Sequence, residues 1–252
     1  MYIVIPSHAR PKQLQNKTLA LLKRHNIDMD IVFVFVSPES YDEYLPISNE
    51  YGFMLINSKA NILDTRNHII EYFDENQQII EMDDDVEEIL DFQLGEKGKP
   101  VENLFELFKE SFKLFEKMDG GLWGFNANCN MFYIKDFKDK WGLYSIINSC
   151  LGYVNKKNVI LTVPEKEDFE RVLYFYKHKL PIVKRCRYGI KTKYWTNKGG
   201  IQDRYDKEKR TEIQNISADM ILNNHSDCCY GRKRNNGIID IRFRSSDPLR
   251  LC

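Results

Sequence analysis

The chain has no apolar run approaching the roughly 20 residues that cross a bilayer, which excludes a spanning helix and gives no reason to expect a membrane partner. Its opening apolar stretch, Tyr2-Ile3-Val4-Ile5, breaks at Pro6 and is too short for a secretory leader. An intracellular protein, cytoplasmic or nuclear, is therefore expected. Six cysteines, at 129, 150, 186, 228, 229 and 252, include no CxxC pair and no zinc-ligand spacing, so reduced thiols are expected. Internal repeats and low-complexity segments are absent, which excludes solenoids and disordered tails. Net charge is absent too, with 37 basic against 37 acidic residues. The balance is uneven along the chain, however. From Pro181 onward fall 16 of the basic but only 8 of the acidic residues, leaving an acidic first part and a basic last part.

What is present is an alternation of apolar strands and amphipathic helices. Strands are expected at Tyr2–Ile5, Ile31–Val36, Phe53–Ile56 and Gln78–Met82. Helices fall between them, over Gln13–His25, over Tyr41–Gly52, and over a segment containing Arg66–Phe73 and capped by Asp64 or Thr65. This β-α-β-α-β-α-β order predicts a mostly parallel sheet, with ligands beyond the carboxyl ends of its strands. A long helix is expected from about Val101 to Met118. Short strands follow at Leu122–Phe125, Met131–Ile134 and Val159–Val163, then a helix at Lys166–His178 and a strand at Pro181–Tyr188. The remainder is basic and turn-rich, with one helix at about Glu208–Asn223.

The fourth strand runs straight into Asp83-Asp84-Asp85. On an extended chain, residues two apart project to the same side, so Asp83 and Asp85 would converge. Two such carboxylates form a hard-oxygen site for Mn²⁺ or Mg²⁺. An acidic turn ahead of a helix is the structural alternative.

Ile5-Pro6-Ser7-His8-Ala9-Arg10 resembles the first strand and donor loop of GT-A-fold glycosyltransferases. Thr65-Arg66-Asn67 is similar to their Ala-Arg-Asn helix start, Asp83-Asp84-Asp85 to their Asp-x-Asp motif, and Glu167-Asp168 to their later Glu-Asp pair. The resemblance covers roughly residues 1–190. It implies a GT-A-like (Rossmann-like) α/β fold over 1–252 as one domain, with a smaller C-terminal acceptor-side portion. Residues 1–120 would be the nucleotide-sugar-binding half and 121–252 the acceptor-binding half.

It implies roles as well. Asp168 would be the general base of an inverting transfer. Pro6, Ser7, Arg10, Arg66, Asp83 and Asp84 would hold a UDP-sugar, with Arg66 on the diphosphate. Asp83 and Asp85 would hold the metal, and Glu167 would line the acceptor side. Many such enzymes place a metal-binding His after the strand that matches Ile182–Arg187. This chain has Tyr188-Gly189-Ile190 there, which leaves His225 as a substitute. Tyr194-Trp195-Thr196-Asn197-Lys198-Gly199-Gly200-Ile201, with the basic tail after it, resembles the glycosyltransferases associated with TET/JBP-type base oxygenases. That narrower resemblance implies glucose- or N-acetylglucosamine-type transfer to hydroxymethylated pyrimidines in DNA, with Trp195, Gly199 and Gly200 near the acceptor. Arg232-Lys233-Arg234, Arg242 and Arg244 would suit a phosphate backbone. Transfer to a protein Ser/Thr hydroxyl, a non-catalytic nucleic-acid-binding domain and a metal-dependent nuclease are the competing readings.

Overall fold

The computed structural model describes residues 1–95, 97–127, 129–130, 134, 137–192 and 206–244. Its first part follows the expected alternation. Strand β1 (Tyr2–Ser7) leads into a helical run made of α1 (Pro11–Leu14), a π-helical turn (Gln15–Leu19) and α2 (Ala20–Arg24). Then come β2 (Val32–Val36), α3 (Tyr41–Tyr51), β3 (Met54–Asn57), α4 (Ile62–Tyr72) and β4 (Gln78–Met82). Helix α3 stops where Gly52 takes a left-handed conformation, φ 82°, which a residue without Cβ adopts at no steric cost. The cap of α4 lies earlier than expected: Asn61, not Asp64 or Thr65, accepts from the Asp64 amide at 2.9 Å.

The second part adds β5 (Glu88–Asp91), β6 (Lys99–Pro100), α5 (Leu104–Lys113), β7 (Leu122–Asn126), β8 (Lys140–Trp141), β9 (Cys150–Val154), α6 (Glu167–Lys177) and β10 (Ile182–Lys191). Helix α7 (Lys207–Asn224) precedes a hairpin of β11 (Cys229–Lys233) and β12 (Ile239–Phe243). One ten-stranded sheet runs through both parts in the order β3-β2-β1-β4-β9-β7-β10-β5-β6, with β8 on β10. Strands β1 to β4 are mutually parallel and β7 pairs parallel with β10. β9 runs antiparallel between β4 and β7, so those two strands also share a direction.

Period-two alternation sends side chains to two cores, one on each face of the sheet. Ile3, Ile5, Val32, Val34 and Val36 pack on one face with Leu14, Leu22, Tyr44 and Phe108. Val4, Phe35 and Ile79 pack on the other with Ile69, Val172, Leu173 and Ala218. Strands buried on both faces explain the continuous β-branched runs in the sequence.

Two further segments differ from the expected pattern. Cys150–Val154 is a central strand although Gly152 interrupts it. A Cβ at Gly152 would overlap the indole of Trp123 on neighbouring β7, so the packing requires glycine there. Val159–Val163 is not a strand, although its burial alternates as in one: Val159, Leu161 and Val163 are buried, Ile160 is exposed. At Leu161, Thr162 and Val163 the backbone bonds go to side chains instead. Asn67 exchanges two hydrogen bonds with the Leu161 main chain (2.9 and 3.0 Å), and Glu170 accepts from the Thr162 and Val163 amides (2.7 and 3.2 Å). This strap ties α4 to the start of α6. Residues 131–133 of the expected Met131–Ile134 strand lie outside the described residues.

Candidate active site

Strand order places the chain's reversal between β1 and β4, the position at which open α/β sheets bind ligands. The β1–β2 pairing continues to Ser7, whereas the β1–β4 pairing ends at Val4–Glu81. Pro6, which lacks an amide proton, falls after that end. The two strand ends thus open onto Ser7 on one side and the acidic triplet on the other.

Regular strand stops at Met82, and Asp84-Asp85 form a turn, so the strand alternation expected for Asp83 and Asp85 does not extend through the triplet. Asp84 is buried and points back at β1. The Arg10 amide donates to Tyr44 Oη (2.9 Å), the Tyr44 hydroxyl lies 2.6 Å from Ser7 Oγ, and Ser7 donates to Asp84 Oδ2 (2.6 Å). Arg10 Nη1 and Gln13 Nε2 reach Asp84 Oδ1 at 3.4 and 3.5 Å. Burial raises the Asp84 carboxyl to about 6, against the pull of Arg10 and Ser7. Burial likewise pushes the Tyr44 phenol up to about 12. Asp83 and Asp85 are partly exposed.

The turn itself is held by Thr18, a fully buried residue in the π-helical segment. Its hydroxyl donates to the Asp83 carbonyl (2.7 Å) and accepts from the Val86 amide (3.0 Å). π-Turns inside helices often mark functional positions. Thr18→Val would leave both backbone groups unpaired, at about 1–3 kcal/mol, whereas Thr18→Ser keeps both bonds. Thermal unfolding of the pair should show the larger loss for valine. A serine variant as unstable as the valine would mean that the methyl group, not the hydroxyl, matters.

On the other side of the triplet, Arg66 from α4 is only 3% exposed and turned onto three carboxylates. It contacts Glu81 of β4, Glu167 of α6 through Nε (2.9 Å) and Asp83 through Nη2 (3.5 Å). Arg66, the residue expected on the diphosphate, is thereby held in a buried ion cluster. Arg171 joins it at 2.9 Å from Glu81, with Tyr153 donating to Glu81 (3.2 Å) and Asn148 to Glu167 (3.0 Å). Sequence reading missed Glu81 and Arg171, yet both carried a signal. Glu81 is a charge inside an apolar strand, and Arg171 stands four residues after Glu167 on one helix face.

Asp168 follows Glu167 in the first turn of α6. Its carboxyl is raised to about 7, first by burial and second by the charge of Glu167, while the Phe169 amide, Arg66 and Lys166 pull it down. The residue before the helix, Lys166, has φ 65°, an uncommon conformation for a residue with a side chain. Its carbonyl accepts from the Phe169 amide at 3.0 Å, which turns the chain into α6 at this point.

Arg66 therefore brings Asp83 and Glu167 to one place, and Asp168 adjoins it. His225 is not part of that place. It ends α7, and the charges acting on it are those of Lys177, Glu170 and Asp227. Trp195, Gly199 and Gly200 lie outside the described residues. Among the described residues no three His, Cys, Asp or Glu side chains are grouped to hold a metal ion. No described helix is long and apolar enough to cross a membrane.

No family model and no curated protein matches the chain. Solved structures resemble it weakly. A mannosyltransferase from Pyrobaculum calidifontis, in complex with GDP-Man and Mn²⁺, is 10% identical with a TM-score of 0.40 over 61% of this chain; the match spans 44% of that protein. Glucosyl-3-phosphoglycerate synthase from Mycobacterium tuberculosis, in complex with UDP, is 8% identical with a TM-score of 0.48, covering 99% of this chain and 90% of that one. 4-Diphosphocytidyl-2C-methyl-D-erythritol synthase from Anaerococcus prevotii is 11% identical with a TM-score of 0.46, covering 80% and 94%.

Proposed function

We propose that the chain is a metal-dependent GT-A-type glycosyltransferase. It would move a glucose- or N-acetylglucosamine-type sugar from a UDP-sugar to a hydroxyl, with inversion, using 1–120 for the donor and 121–252 for the acceptor. One observation carries the reading: Arg66 joins Asp83 of the triplet to Glu167 beside Asp168, so motifs far apart in sequence meet at one strand end.

Asp84 is engaged by Ser7, Arg10 and Gln13, and the partly exposed Asp83 and Asp85 on either side of it would hold the ion. Two carboxylates do not make a cage, but they fit Mg²⁺ or Mn²⁺, which commonly bind through one or two carboxylates together with substrate phosphates and water. A bound ion supplies charge neutralisation on the departing diphosphate. The Ser7–Arg10 loop, held to Tyr44 of α3, would seat the nucleoside, and Asp84 anchors that loop. Asp168 would accept the proton of the acceptor hydroxyl as its oxygen bonds to the anomeric carbon and the carbon–oxygen bond to the nucleoside diphosphate breaks. For the acceptor we favour a hydroxymethylated pyrimidine in DNA, on the resemblance of residues 194–201 and the basic C-terminal segment.

The donor half is tested by thermal unfolding with Mn²⁺ alone, UDP alone and both. A ligand at 100 times its Kd adds about 2.7 kcal/mol, so a shift that requires both ligands and disappears in Asp83→Asn/Asp85→Asn is expected. No shift with any nucleoside diphosphate would sink the transferase reading.

A further inference from the structure

The turn-rich end of the chain folds into the β11–β12 hairpin, whose two faces differ. Cys229, Ile241 and Phe243 face inward, toward α6 and α7. A Cβ at Gly231 would meet Leu222 of α7 at 2.8 Å, so the hairpin lies close on that helix. By the same alternation Tyr230, Arg232, Asp240 and Arg242 share the outer face, with Tyr230 directly opposite Arg242 and Arg232 opposite Asp240. Tyr230 is 47% exposed, although an isolated surface position gives an aromatic ring nothing to pack against. Arg244 is stationed over it, 5.7 Å from the ring centroid. The only carboxylate of the hairpin, Asp240, pairs with Arg234 (2.7 Å) and Arg242 (3.5 Å), one acid among four guanidinium groups. The face thus carries more guanidinium groups than carboxylates, beside an exposed ring.

Its position matters as much as its charge. Phe243 packs on Phe169 with ring centroids 5.7 Å apart, which fixes the hairpin to the first turn of α6, immediately after Asp168. Lys166 bridges the two electrostatically: Asp168 and Asp240 both attract its ammonium and Arg234 repels it. The outer face thus belongs to an element that adjoins Asp168.

A positive track with an exposed aromatic platform is the arrangement that holds single-stranded nucleic acid, cations on the phosphates and a base on the ring. We propose that the outer face of the β11–β12 hairpin, Tyr230 with Arg232, Arg242 and Arg244, binds the backbone of a single-stranded nucleic-acid segment and directs it to Asp168. The final step, delivery to Asp168, rests on the transferase reading; the binding surface does not.

The experiment is fluorescence anisotropy of a labelled single-stranded DNA oligonucleotide against the full chain over a salt series. Wild type should bind with an affinity that falls steeply with salt, by about 0.7 log units per log unit for each phosphate contacted. Arg232→Glu/Arg242→Glu should weaken binding on the order of tenfold or more and flatten the salt slope. Tyr230→Ala should weaken it about fivefold or more, as loss of one stacked base does. Arg232→Gln/Arg242→Gln, which removes charge without reversing it, guards against a folding defect and should show the same trend at an unchanged Tm. Each sample is also tested for the Mn²⁺/UDP shift. Lost oligonucleotide binding with a retained shift supports the surface. Hairpin-dependent binding with no shift in wild type keeps the surface and overturns the transferase reading. Absent binding, or binding that the hairpin variants leave unchanged, overturns the surface, and with a retained shift it directs the acceptor search to protein hydroxyls.

Discussion

Asp168→Asn is expected to lower transfer by about 10²–10⁴-fold, the range attributed to a positioned general base, while leaving the Mn²⁺/UDP shift in place. The asparagine keeps size and polarity but cannot take the proton. Wild-type activity should also depend on pH in a defined direction. The folded carboxyl is raised to about 7 and must be ionised to act, so kcat/KM should fall about tenfold per unit as pH drops below that value. Stability should move the other way. A carboxylate raised above its unfolded value of about 3.9 favours the fold while protonated, and that contribution is lost as pH rises from about 4 through about 7. Asp168→Asn removes this dependence. Its Tm should gain on wild type between pH 5 and pH 8, as calorimetry at the two values would show. Unaltered transfer would remove Asp168 from the base role. Loss of both transfer and the donor shift would mean that the first turn of α6 had collapsed.

The parallel half of the sheet was legible because β1, β2 and β4 are buried on both faces and Gly52 gives α3 a clear end. Gln78–Met82 emerged at its expected bounds. What stayed hidden depends on partners distant in sequence. Gly152 reads as a strand breaker until Trp123 lies over it. Val159–Val163 has a strand's alternation, but Asn67 and Glu170 take the bonds that a neighbouring strand would have taken. The C-terminal hairpin escaped because its outer face is charged and only one side of each strand is apolar. At the site, the acidic triplet and Glu167-Asp168 were visible as motifs. Their connection was not, because it runs through Arg66, which no local pattern pairs with Asp83 and Glu167.

That connection makes the largest stability prediction. Among the described residues, Arg66→Met would leave the Glu167 side chain with Asn148 alone and deprive Glu81 of one of its two guanidinium partners. Removing one member of a buried ion cluster costs about 3–5 kcal/mol, because a charge remains that neither water nor a partner compensates. At about 2–4 °C per kcal/mol for chains of this size class, Tm should fall by roughly 10 °C or more. Adding Glu167→Gln to the same chain removes the stranded charge and leaves Glu81 paired with Arg171. The double variant should therefore recover much of the loss, giving a favourable coupling between the two changes in a double-mutant cycle. It should nonetheless transfer poorly, since nothing then ties Asp83 of the triplet to the helix carrying Asp168. Recovery of stability without recovery of transfer would assign the Arg66–Glu167 contact to positioning. Strictly additive losses would mean that the cluster holds the fold through packing alone, and the link from the triplet to α6 would have to be sought elsewhere.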